Sequence, residues 1–116
     1  MHEVCVVHDF DAGIEQVFAG ISDHVGFLST ANIQCRMVRK GDTDPNGLGA
    51  MREVRKGNIL FQETINAFDP PHAYEYRILS LRGPLNIKLP FHHEHGRLEL
   101  HGVDGKTRME WTSRFH

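Results

Sequence analysis

Residues 48–65 read LGAMREVRKGNILFQETI, and the Gly57-Asn58 dipeptide near their middle decides how the chain folds. A Gly-Asn pair between two runs of strand-forming residues marks a two-residue β-hairpin loop, because both residues tolerate the left-handed backbone such loops need. A loop of that length sets the register: Lys56 faces Ile59, Val54 faces Phe61, Arg52 faces Glu63 and Ala50 faces Ile65. Side chains alternate along a strand, so one face carries Ala50, Val54, Phe61, Ile65 and the Arg52/Glu63 pair. The other carries Met51, Glu53, Arg55, Leu60, Gln62 and Thr64. The first set is the more apolar and is expected to point inward. That puts a guanidinium and a carboxylate on an oily face, where each costs several kcal/mol to desolvate before pairing. Such a pair needs a partner or a purpose.

The same reasoning extends outward. Asp104-Gly105 makes a second hairpin in which Leu100 faces Met109, Leu98 faces Trp111, Gly96 faces Ser113 and Glu94 faces Phe115. Glu94 is thereby expected on the inner face. Arg97, Glu99, His101, Arg108, Glu110, Thr112 and Arg114 form a solvated outer face, with Glu99 opposite Glu110 as a like-charge pair. In the strand between the hairpins, Tyr74, Tyr76, Ile78 and Ser80 share a face, assigned inward because Glu75 and Arg77 lie on the other. Candidate strands run over Leu48 to Lys56, Ile59 to Phe68, Tyr74 to Leu81, His93 to Val103 and Lys106 to Phe115. Upstream, Ile33, Cys35 and Met37 alternate before the turn-rich GDTDPNG of residues 41–47.

At the N-terminus, His2 to Phe10 reads as a strand. Ile14, Val17, Phe18 and Ile21 then recur at i, i+3, i+4 and i+7, the stripe of a short amphipathic helix for which Asp11 is the expected cap. Val25, Phe27 and Leu28 suggest another helical turn or two within Ser22 to Thr30. The order is one strand, two short helices and about six strands, which is an α+β fold with a curved antiparallel sheet braced by helices.

The chain's 116 residues, 40% apolar and 24% charged, support one domain over 1–116. Thirteen Lys+Arg are dispersed among 15 Asp+Glu, so no basic stripe for nucleic acid exists. No apolar run approaches the about 20 residues that span a bilayer, and the opening MHEVCVVHDF lacks a leader's basic start and apolar core. A cytoplasmic protein without membrane insertion is expected, with Cys5 and Cys35 as small core residues in a reducing compartment. The GLGAM stretch lacks the third glycine of a dinucleotide fingerprint, and no Walker or G-x-S-x-G pattern occurs.

The segment from Val6 through Asp23, Gly47-Leu48-Gly49-Ala50-Met51-Arg52, Phe68-Asp69-Pro70-Pro71 followed by Tyr74-Glu75-Tyr76-Arg77, and Met109-Glu110-Trp111-Thr112 occur in an order and spacing that resembles the START-like or Bet v 1-like (SRPBCC) superfamily. Within it, the chain is most similar to the polyketide cyclase/dehydrase-type proteins. The resemblance implies a helix-grip fold, a seven-stranded antiparallel sheet gripping a long C-terminal helix around an apolar cavity. That helix is absent from this sequence, which ends at Phe115-His116, and a C-terminally incomplete domain is expected.

Joined to the resemblance, the residues point to binding of an apolar or aromatic small molecule, lipid or polyketide-like, in a cavity between sheet and helices. Arg52, Val54, Phe61, Glu63, Tyr76, Ile78, Leu98, Met109 and Trp111 are the expected lining. Arg52 with Glu63 reads either as a polar anchor for the ligand or as a cross-strand salt bridge that fixes register. A cyclase/dehydratase-type enzyme is the alternative, with Glu63 or Glu94 as the acid/base, although Glu94 reads more readily as a rim residue. A protein-interaction module or homodimer using the uncovered sheet is a second alternative. No cofactor is expected. His92, His93, His95 and His116 are the densest set of metal-ligand types, but with His93 and His95 placed on the outer face beside His116, no native metal site is expected.

Overall fold

The computed structural model describes residues 2–90 and 93–115, with Glu94 by its backbone alone. Strand β1 (His2–Phe10) leads into helices α1 (Ile14–Ser22) and α2 (His24–Leu28), followed by strands β2 (Ile33–Arg39), β3 (Met51–Lys56), β4 (Ile59–Asp69), β5 (Ala73–Arg82), β6 (His93–Val103) and β7 (Lys106–Phe115). A single 3-10 turn, Pro84–Asn86, lies between β5 and β6. The strands form one antiparallel sheet in the order β1-β7-β6-β5-β4-β3-β2. Each neighbour from β2 to β7 is joined by a hairpin-type connection. Only β1 to β2 must travel from one edge to the other, and the two helices make that crossing over the concave face.

The Gly57-Asn58 hairpin has the register read from the sequence, with Lys56 opposite Ile59, Val54 opposite Phe61 and Arg52 opposite Glu63. Backbone bonds of 2.9 and 2.8 Å between Ile65 and the Gly49-Ala50 pair extend it. Glu99 does face Glu110. The repulsion is relieved by Arg97, whose Nε donates to Glu99 at 3.0 Å and whose Nη1 lies 3.4 Å from Glu75.

Several expectations are corrected. Strand β3 begins at Met51 rather than Leu48, because Asp44 to Gly49 is a tight turn with Gly47 N–H donating to the Asp44 carbonyl and Gly49 at φ +87°, a backbone that favours glycine. Asp11 does not cap α1: Gly13 holds the cap position with extended backbone and no side-chain bond. Ser80 is not on the inner face. A bulge after Ile78 turns it outward to pair with Gln62, and its Oγ donates to Gln62 Oε1 at 3.4 Å. A second bulge, between His93 and His95, places His93 rather than Glu94 opposite Phe115. Cys35 is buried, but Cys5 is exposed, since it points from the outer face of an edge strand.

The core forms where α1 crosses the sheet. Val17, Phe18 and Ile21 pack on Ile65, Tyr74, Leu98, Leu100 and Met109. Phe18 meets Phe68 and Tyr74 edge to face at centroid separations of 5.4 and 6.4 Å. Burial fades towards the other end of the concavity, where Val54, Phe61, Ile78 and Trp111 are half-buried and Val4 and Val6 about half exposed. Among the described residues, no helix is long and apolar enough to cross a membrane.

Candidate functional site

The floor of the concavity is a buried polar cluster built on Arg52, which is 1% exposed. Its Nε donates to Glu63 Oε1 at 2.7 Å and its Nη1 to His24 Nδ1 at 2.8 Å. The guanidinium carbon stands 4.7 Å from the Tyr76 ring centroid and 5.9 Å from that of Tyr74, which places the charge against two electron-rich faces. Burial opposes the charge of Arg52, but Glu63 and Tyr74 together outweigh it and hold the guanidinium above its ordinary pKa. Tyr74 in turn donates its hydroxyl to the Ile21 carbonyl at 3.1 Å, so the same cluster ties the sheet to both helices.

Arginine has only protons to offer, so Nδ1 of His24 must be the acceptor. The proton of the neutral ring then sits on Nε2, which donates to the Asn46 carbonyl at 2.8 Å. Burial, reinforced by the neighbouring Arg52 charge, pushes the His24 pKa down to about 4. The ordinary value near 6.5 applies when the chain unfolds. Above pH 6.5 the ring is neutral in both states and the stability is fully present; between pH 6.5 and about 4 only the unfolded chain takes up the proton, and stability falls by about 3 kcal/mol in total. Urea denaturation at pH 7 and pH 4.5 is expected to show most of this loss, about 2 kcal/mol, in the native chain and a much smaller one in His24→Gln. Equal slopes would remove His24 from the acid response.

A second cluster adjoins the first. Tyr76 on β5 lies directly opposite Gly96 on β6, which is opposite Ser113 on β7. A Cβ at Gly96 would overlap the Tyr76 ring, with Oη only 2.6 Å away. The ring therefore reaches across the glycine to β7, where Trp111 Nε1 donates to its hydroxyl at 3.0 Å. His93 stacks on the other part of the ring at 5.6 Å and 21°. Its Nδ1 accepts from the Ile78 N–H at 2.9 Å, and its Nε2 lies 2.9 Å from Ser113 Oγ. Burial, then the Glu63 charge, raise the Tyr76 pKa, so the phenol keeps its proton at neutral pH.

Of the residues expected to line a cavity, Arg52, Glu63 and Tyr76 meet in one buried group. Val54, Phe61, Ile78 and Trp111 surround it as a half-buried apolar wall. Leu98 and Met109 lie beneath α1 in the core. Glu94's side chain lies outside the described residues, as do His92 and His116. His93 is turned inward by the β6 bulge, away from the outer face that His95 was expected to share with it. Among the described residues, no group of three or more His, Cys, Asp or Glu is placed to hold a metal ion. Sequence reasoning missed His24 and placed His93 on the wrong face. His24 had a readable signal, since Val17, Ile21 and His24 continue one helical stripe.

An open groove of about 840 Å³ lies elsewhere, beside the β6–β7 loop, with Asp9, Asp11, His101, Asp104, Lys106 and Arg108 among its lining. Asp9 and Arg108 already neutralise each other there at 2.8 Å, and the groove is shallow and charged where the concave face is apolar and anchored.

A curved seven-stranded sheet, two short helices crossing its concave side and an apolar face over a polar floor define the helix-grip class of α+β proteins. The chain belongs to the family described as polyketide cyclase / dehydrase and lipid transport, which it matches over residues 1–116. No curated relative matches. Solved structures give the same fold: a START superfamily protein from Mycobacterium smegmatis at TM-score 0.76 and 10% identity, covering 100% of this chain and 77% of that one; a protein from Nitrosospira multiformis at 0.72 and 23%, covering 99% and 79%; and Ara h 8.0201 at 0.68 and 16%, covering 99% and 76%.

Proposed function

We propose that the chain binds an apolar or aromatic small molecule on its concave face. The observation that carries this is the half-buried wall of Val54, Phe61, Ile78 and Trp111 standing around a fully satisfied polar floor. Burying such a wall against a ligand is worth about 25 cal/mol per Å² of apolar surface. The floor is expected to act as a rigid base. Arg52 Nε and Nη1 are committed to Glu63 and His24, so the pair supports the wall more than it reaches for ligand. Glu63 is not taken as an acid/base, because protonating it would break a buried ion pair with a guanidinium.

Trp111 is the chain's single tryptophan and packs 5.6 Å from Phe27, which makes its emission a local reporter. Titration with N-phenyl-1-naphthylamine is expected to quench it saturably at micromolar concentration, and Phe61→Asp is expected to weaken that binding at least tenfold. Emission that stays unchanged up to the solubility limit of the probe overturns the reading.

A further inference from the structure

The hydrogens of the Tyr76 cluster can be counted. The Ile78 N–H donates to His93 Nδ1, so the neutral ring carries its proton on Nε2 and donates it to Ser113 Oγ. Trp111 Nε1 can only donate, and it donates to Tyr76 Oη. Both hydroxyl oxygens therefore already receive a proton from a nitrogen. The two residues both stand opposite Gly96, and at most one hydroxyl can donate to the other, because the second cannot donate back along the same contact. Of the four donor protons, at most three are taken up inside the cluster. Whichever way the pair is arranged, one O–H is directed out of the cluster.

The same assignment excludes a nucleophilic role for Ser113. A base would have to accept the serine proton at Nε2, and that nitrogen is a donor here. What the cluster offers is a polarised hydroxyl donor in an apolar surface. Each oxygen has a lone pair engaged by an N–H, which strengthens its own O–H as a donor. Ser113 and Trp111 are half-buried and lie opposite Val4 and Val6, which are about half exposed, so the donor faces the open part of the concavity.

We propose that Tyr76 and Ser113 form a subsite for a carbonyl oxygen, so that the ligand of the concave face carries an acceptor oxygen rather than being a plain hydrocarbon. The proposal rests on the reading of the concave face as a ligand surface. A ligand group that can only donate, such as an ammonium, would leave this O–H unpaired, whereas a ketone oxygen receives it. Gly96 serves the subsite by letting the Tyr76 ring cross β6 to reach β7.

The test uses two probes of nearly equal shape, 9-fluorenone and fluorene, measured by equilibrium dialysis against the full chain. Fluorenone is expected to bind about five- to tenfold more tightly, the yield of one added hydrogen bond. The preference is expected to shrink in Tyr76→Phe and in Ser113→Ala, each of which leaves one hydroxyl, and to vanish in the double variant while fluorene affinity stays within about twofold. The bound ketone's carbonyl stretch should lie at lower wavenumber in the native chain than in the double variant. Equal binding of the two probes by the native chain overturns the subsite and leaves the apolar surface standing, as does a ketone preference that survives the double variant. Binding of neither probe overturns the surface reading and this one with it. If the double variant loses fluorene as well, the two single variants decide by the same ratio.

Discussion

Arg52→Ala is expected to lower stability by about 3–5 kcal/mol, the usual cost of stranding one member of a buried ion pair. Glu63 would remain 6% exposed without its cation, and His24 Nδ1 would lose its donor. A domain of this size has about 5–15 kcal/mol in hand, so the variant should sit near its unfolding threshold at room temperature. Urea denaturation followed by far-ultraviolet circular dichroism measures it directly. The double variant Arg52→Met/Glu63→Leu is expected to recover much of the loss, because it removes both charges and keeps the volume. The recovery should stop about 1–3 kcal/mol short, since His24 still lacks a partner. A single variant within about 1 kcal/mol of the native chain would mean that the guanidinium is not held as a buried pair.

Gly96→Ala is expected to cost about 1–3 kcal/mol for one added methyl group, as overpacking of a fixed ring does. Tyr76 is held by Arg52 on one side, His93 on the other and Trp111 at its tip, so it has little room to yield. Displacing it breaks the Trp111 bond, and the tryptophan emission should change along with the stability. The effect is carried by the contact rather than by strand propensity, so it should be non-additive. In a Tyr76→Leu background, alanine at position 96 is expected to cost less than half as much. Full additivity would locate the cost in the backbone of β6.

Most of the sheet was legible because hairpin loops announce their length. Gly57-Asn58 and Asp104-Gly105 each fixed a register over several residue pairs, and with it the meeting of Arg52 and Glu63. Bulges leave no such mark. The extra residue after Ile78 moved Ser80 outward, and the one between His93 and His95 put an imidazole opposite Phe115, where a carboxylate was expected. Nothing in the local composition of either strand distinguishes a bulged from a regular pairing, because the displacement is set by how the sheet curves under the helices. The role of Arg52 was half legible for a similar reason. Its cross-strand partner followed from spacing, but its second partner, His24, arrives from a helix on another layer. The packing of Leu98 and Met109 beneath α1 depended on where that helix crosses, which periodicity does not specify.

The pairing of β1 with β7 has a kinetic consequence. Asp9 with Arg108, Glu3 with Arg114, and the Ala12 carbonyl with the Thr107 hydroxyl join residues 95 to 111 positions apart. Every other neighbouring pair of strands is closed by a short connection and can form as soon as it is made. The β1–β7 seam must wait until β7 itself has been made, and closing so long a loop loses entropy before any contact repays it. Until then β7 presents an unpaired edge carrying Trp111 and Met109, so slow seam closure, rather than a weak core, is where this protein is most exposed to aggregation during its synthesis.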